Sequence, residues 1–347
     1  MSSLDLRPLL PALMVAITGV VVLLAQAFTP KGRPAPSAGL ALTGLLAALG
    51  ATELIMQGNG RGASVGGSYV ADDFALFLHL VILGIGVLVV LLSPSYLRAT
   101  GADRGEYYAL LLFSIVGMLG LVSCRELVSL FVALEIMSVS LYAMAGLHRE
   151  RQESQEAALK YFITGAFSSG FFLYGVALLY GVSGSTSLGP IAQQLFDATD
   201  SKLALALLGT ALLLVGFGFK VASVPFHMWA PDVYEGAPTT VTGFMAAGVK
   251  AAAFGAFLRV LLEALPGLAS HWQPALAALA ILTMIVGNLG ALAQSNLKRM
   301  LAYSSVAHAG YILTALVASP GLGVQAILFY LVAYAAGNLG AFGVLSS

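Results

Sequence analysis

The 347 residues are 59% hydrophobic and only 9% charged, with 16 Lys and Arg balancing 16 Asp and Glu, and the mean hydropathy is +0.92. A soluble globular domain carries roughly 25% charged residues, so that class is excluded, and a net charge of zero offers no basic face for nucleic acid. The single cysteine, Cys124, excludes an internal disulfide.

Apolar runs of membrane-spanning length follow one another along the whole chain, at 8–27, 37–56, 73–93, 107–123, 126–147, 157–181, 203–224, 238–262, 274–292, 300–318 and 322–345. About 20 apolar residues cross a bilayer as a helix, and none of the runs alternates apolar with polar residues as a barrel strand would. The pattern predicts an all-α polytopic membrane protein with eleven transmembrane helices. The first run is longer than the apolar stretch of a signal peptide and has no clear cleavage site behind it. With the N-terminus outside, the inner loops hold Lys31, Arg33, Arg98, Arg104, Arg149, Arg151, Lys298 and Arg299, whereas the outer side holds Arg7, Arg61, Arg125 and Lys202. Positive charge gathers on cytoplasmic loops, so the reading places the N-terminus outside.

Ionisable residues inside the runs carry the functional signal, because charge in hydrocarbon is costly and usually functional. Glu135 lies mid-run in the fifth, where burial favours the neutral acid and a nearby ammonium favours the carboxylate. The bland alternative is a neutral acid hydrogen-bonded between helices. Lys220 ends the seventh run and is followed by Pro225, His227, Trp229 and Asp232. Proline breaks or kinks a helix, and broken helices at membrane depth line cavities or ion sites. The competing reading is a lysine that snorkels to the surface. Lys250 sits halfway along the eighth run, too far from either end to snorkel easily, and a buried lysine gains and loses a proton readily. Lys160, Lys298, His227 and His308 are weaker candidates for the same path, while His79 and His148 read as structural. Arg125 and Glu126 read as an interfacial pair.

Two stretches resemble each other 168 residues apart, Ala158–Val176 and Ala326–Val344. At 169 residues, Ala133, Glu135 and Tyr142 align with Ala302, Ser304 and Tyr311. An odd number of spans separates the copies, which makes the repeat inverted. The organisation expected is a three-helix segment over 1–106, a five-helix repeat over 107–263 and an incomplete second repeat over 264–347. No metalloprotease, phosphate-loop or nucleophile-elbow motif and no paired-cysteine metal site is present.

The segment 220–244, KVASVPFHMWAPDVYEGAPTTVTGF, resembles the antiporter-like membrane subunits of bacterial NADH-quinone oxidoreductase, respiratory complex I, and within them the N type. Segment 297–311, LKRMLAYSSVAHAGY, and Leu134-Glu-Ile-Met-Ser138 resemble the same family, and the likeness runs through essentially the whole chain. The resemblance implies fourteen helices with two inverted five-helix repeats, of which about eleven stand here, and the chain ends before the family's second broken helix and its lysine. It implies that Glu135 and Lys220 form a charged pair, that Lys250 leads towards the second half, and that His308 and Lys298 continue a polar axis. The implied function is proton translocation coupled to quinone reduction in other subunits, within an enzyme of the translocase class, with no redox centre in this chain. Flavin mononucleotide, iron–sulfur clusters and quinone are then expected in partner subunits, and no cofactor or metal here. The implied partners are antiporter-like and small membrane subunits and the bilayer, in a bacterial inner membrane. Alternatives are a cation/proton antiporter subunit and a non-transporting assembly relative.

Overall fold

Hydrocarbon supplies no water to unpaired backbone groups, so long apolar runs must close their hydrogen bonds within helices. The computed structural model describes residues 5–30, 36–58, 60–196, 200–318 and 320–347. The runs become α1 (Leu10–Phe28), α2 (Ser37–Gln57), α3 (Asp73–Ala99), α4 (Gly105–Ser123), α5 (Leu127–Ala145), α6 (Gln152–Ser183), α8 (Asp200–Val221), α10 (Thr239–Ala264), α11 (Ala269–Leu292), α12 (Leu297–Ala318) and α13 (Pro320–Ser346). Two shorter helices, α7 (Leu188–Phe196) and α9 (Trp229–Gly236), stand between them. Among the described residues eleven helices are long and apolar enough to cross a membrane, so the chain is an all-α polytopic membrane protein as the sequence predicts. Lys31 and Arg33, counted among the loop charges, lie outside the described residues.

Helix α10 is the axis of the bundle. Of its most apolar stretch, 94% is buried inside the protein, against 22% for α11. Two π-turns interrupt it, at Met245–Val249 and Val260–Ala264. Neither carries a sequence mark. The segment between them runs from Lys250 to Arg259. These two residues are nine apart, about two and a half α-turns, and so point to opposite sides.

One end of the bundle is closed by a small antiparallel hairpin of β1 (Ser64–Val65) and β2 (Tyr69–Val70), turned at Gly66 and Gly67 with positive φ. Tyr69 pairs with Cys124, and Glu126 with Ser187. The sequence pairs Arg125 with Glu126, and the structure separates them. The Glu126 carboxylate accepts the amides of Val128 and Ser129, at 3.0 and 2.6 Å, as the N-cap of α5. Arg125 binds Glu263 instead, at 2.8 Å, because α10 brings that carboxylate to the same end.

The helix pair α4–α5 has a double in α11–α12. A Cβ on Gly117 would lie 2.4 Å from the Met137 nitrogen, and one on Gly287 would lie 2.5 Å from the Ala307 nitrogen. One turn on, Gly120 faces Ala133 and Gly290 faces Tyr303. All four matched positions are 170 residues apart. Contact geometry therefore sets the register for these helices at 170 rather than 169, so Glu135 corresponds to Ser305 and Ser138 to His308.

Candidate functional site

Helix α8 stops inside the bundle by a specific device. Ala222 adopts a left-handed conformation with φ +58°, its amide donates to the Phe219 carbonyl at 3.1 Å, and the Ser223 amide donates to the Gly218 carbonyl at 2.8 Å. This is a Schellman ending with alanine where glycine is usual. The Val224 amide donates to Thr283 Oγ1 of α11 at 2.9 Å, and the chain passes through a cis Val224–Pro225 bond before α9 begins at Trp229. Pro225 is thus part of the break, as the sequence predicts. Lys220 sits in the last turn of α8, where the unpaired carbonyls of a helix end favour a cation.

Lys220 is 3% exposed and does not snorkel. Its Nζ donates to Ser138 Oγ of α5 at 2.6 Å. The Ser138 hydroxyl in turn donates to the Leu134 carbonyl, which leaves its lone pairs for the ammonium. The rings of Tyr142, Tyr161 and Phe219 surround Nζ, with centroids at 5.5, 5.7 and 5.7 Å. Glu135 lies one turn before Ser138, partly buried, and accepts a hydrogen bond from Ser169 of α6. Among the described residues no direct ion pair joins Glu135 to Lys220. The serine stands between them, where the resemblance implies a charged pair. The hydroxyls of Tyr142 and Tyr161 are buried and have no hydrogen-bond partner here, so the pocket holds polar capacity beyond what the lysine uses.

Lys250 is 1% exposed. Its Nζ donates to the main-chain carbonyl of Ser305 on α12 and lies 5.4 Å from the ring centroid of Tyr334 on α13. Tyr334 Oη donates to Ser305 Oγ at 2.8 Å. His308 shares a hydrogen bond with Tyr330 Oη, and its ring lies 5.0 Å from that of Tyr334. Lys250 and His308 therefore share one aromatic-lined site.

The remaining candidates fall elsewhere. Lys160 binds Glu156 and Asp232 at 2.7 Å each. Lys298 Nζ donates to the carbonyls of Glu235 and Ala237 at the end of α9, at 2.8 and 2.6 Å. Both line a charged cleft of about 480 Å³ with Asp232, Glu235 and Arg299, away from the two buried ammonium groups. His227 is half-buried on the connecting loop, its ring 6.4 Å from Tyr303, and joins neither lysine.

Sequence reasoning missed Ser138, Ser305 and Tyr334, because a serine or tyrosine inside an apolar run carries no charge to mark it. It also missed Arg259, a buried guanidinium bound to Asp72 at 2.8 and 2.9 Å, to Glu263 at 2.8 Å and to the Val122 carbonyl at 3.0 Å. Burial pushes the Asp72 carboxyl up, but the Arg259 bonds outweigh it and hold the group below its ordinary value. The signal available was a second cation in the run that carries Lys250, nine residues further on.

Residues 124–347 match the family described as NADH:quinone oxidoreductase/Mrp antiporter, TM. The NADH-quinone oxidoreductase subunit N of Chloroflexus aggregans is 47% identical over 345 residues, spanning 98% of this chain and 70% of the relative. Among solved structures, respiratory complex I from Thermus thermophilus with bound aureothin matches with a TM-score of 0.81 and 41% identity, over 97% of this chain and 70% of the other. An archaeal respiratory membrane complex, the membrane-bound sulfane sulfur reductase, matches with a TM-score of 0.85 and 27% identity, over 97% and 70%.

Proposed function

This chain belongs to the NADH:quinone oxidoreductase/Mrp antiporter family of membrane subunits, and from that premise we propose that it moves protons across a bacterial inner membrane through Glu135, Lys220 and Lys250. The energy comes from quinone reduction in other subunits, which carry the flavin mononucleotide, iron–sulfur clusters and quinone, while this chain holds no redox centre. Its neighbours in this reading are antiporter-like and small membrane subunits, its N-terminus faces outside, and residues 107–263 form one half-channel.

The observation that carries the proposal is Lys220, buried at the end of a broken helix and bound to Ser138 one turn from Glu135. Two unit charges about 4 Å apart interact by about 4 kcal/mol at an effective dielectric near 20. A movement that brings Glu135 towards or away from Lys220 therefore decides whether the ammonium keeps its proton. When the carboxylate withdraws or is neutralised, the proton leaves Lys220 towards the Lys250 amine, whose own hydrogen-bond partner is the neutral Ser305 carbonyl. Lys220→Ala or Glu135→Ala in the assembled complex lowers proton pumping and, to a smaller extent, coupled quinone reduction, so that fewer protons move per quinone, while assembly persists. Normal pumping in both variants would sink the proposal. Sodium-dependent transport in place of proton transport would favour the antiporter alternative.

A further inference from the structure

The charged cleft at the far end of the broken helix has no part in the relay just described, although its ion pairs are the densest among the described residues of that end. Asp232 of α9 is the hub. Its Oδ2 accepts from Lys160 of α6 at 2.7 Å, and its Oδ1 accepts from Arg299 of α12 at 2.7 Å. Arg299 also binds Glu235 at 2.9 Å, and Asn296 donates to Glu235 at 2.8 Å. One carboxylate thus fixes α9 between a helix of the first half of the chain and a helix of the second. Single exposed ion pairs are weak, but networks sharing one carboxylate are stronger and set geometry.

One turn before Asp232 stands Trp229, buried and stacked flat on Tyr161 at 4.6 Å and 9°. Its indole N–H donates to the Phe219 carbonyl at 3.1 Å. Tyr161 and Phe219 are two of the three rings around the Lys220 ammonium. We propose that Asp232 is a positioning residue for Lys220. By clamping α9 between α6 and α12 it sets, through Trp229, the aromatic wall and the helix end against which the ammonium rests. This rests on the proton-relay reading of Lys220, and its substance is that the mouth of the site and its centre are one rigid lever.

The test uses the assembled complex in sealed vesicles, with protons moved per quinone reduced as the readout. Asp232→Asn is expected to keep the normal subunit content and quinone KM and to lower that ratio by at least about threefold, since small misplacements of reacting groups have large rate effects. Asp232→Glu, which keeps the carboxylate, restores most of the ratio, and Trp229→Leu reproduces the loss with the clamp intact. Lys220→Ala is measured alongside. If it pumps normally, the relay reading falls first and the lever with it. If Lys220→Ala is impaired while Asp232→Asn or Trp229→Leu keeps the normal ratio, the lever alone is overturned. A failure of Asp232→Glu to rescue overturns it as well. Should Asp232→Asn not assemble, Trp229→Leu decides: a lowered ratio supports the lever, and a normal one refutes it.

Discussion

The two buried lysines sit in doubled scaffolds yet are held in different ways. Around Lys220 the partner is a side chain, the Ser138 hydroxyl, and a carboxylate waits one turn away at Glu135. Around Lys250 the partner is a main-chain carbonyl, that of Ser305, and the position matching Glu135 is Ser305 itself. The first site contains a group whose charge can change. The second holds no carboxylate among the described residues: around its ammonium stand the Ser305 carbonyl, the ring of Tyr334 and, against that ring, the His308 imidazole. A relay uses both kinds: one station with a carboxylate that answers a signal, and one whose ammonium is held by the backbone itself. The same fold delivers either, depending on whether a glutamate or a serine fills one position.

The scaffold half of this comparison predicts the largest effects. Gly117→Ala and Gly287→Ala would each press a methyl into the backbone of the next helix, costing about 3 kcal/mol by overpacking. Thermal unfolding in detergent should show matching losses, and tolerance of one with collapse of the other would break the 170-residue register. The chemical half comes next. Ser138→Ala removes the hydroxyl that holds Lys220 and leaves a buried ammonium without it, at about 2 kcal/mol, whereas Ser305→Ala keeps the carbonyl that holds Lys250 and forfeits only the Tyr334 bond, at about 1 kcal/mol. Proton pumping should therefore fall in the first variant and stay near normal in the second, and equal pumping would erase the distinction. The smallest effect concerns the helix end that only the first site shows. Ala222→Gly relieves a left-handed alanine and should stabilise the protein by about 0.5 kcal/mol after the entropy cost of glycine, visible as a rise in Tm with pumping unchanged.

Much of this was legible in the sequence, because the bilayer leaves so few options. Eleven apolar runs had to be eleven helices, and Lys220, Lys250 and Pro225 stood out as residues that such runs exclude without cause. Their partners were not legible. Ser138 lies 82 residues from Lys220, and a serine within a run costs too little to attract notice. Ala222 is a good helix former that ends a helix because Ser223, Pro225 and Thr283 claim the chain beyond it. The weaker candidates Lys160 and Lys298 read as possible stations because sequence shows the charge and not the carboxylates and carbonyls that hold it. The repeat was visible, but its register was off by a residue, since similarity of apolar residues is forgiving and a glycine pressed against a backbone is not.

The π-turn at Met245–Val249 gives α10 a surplus of one residue immediately before Lys250. A regular α-helix turns about 100° per residue, and the wider π-turn takes up the surplus within itself, so the helix faces the same way on either side of it as a regular one would. Removing a single residue there would let the helix run regularly with both sides facing as before, whereas removing one between Lys250 and Arg259 would turn those two residues by about that angle relative to each other. Lys250 and Arg259, locked to each other by the regular segment between them, cannot both be re-aimed independently. The gene could therefore lose any one of the five codons of the π-turn and still present the lysine to Ser305 and the arginine to Asp72, whereas one codon lost between those two residues would cost one contact or the other.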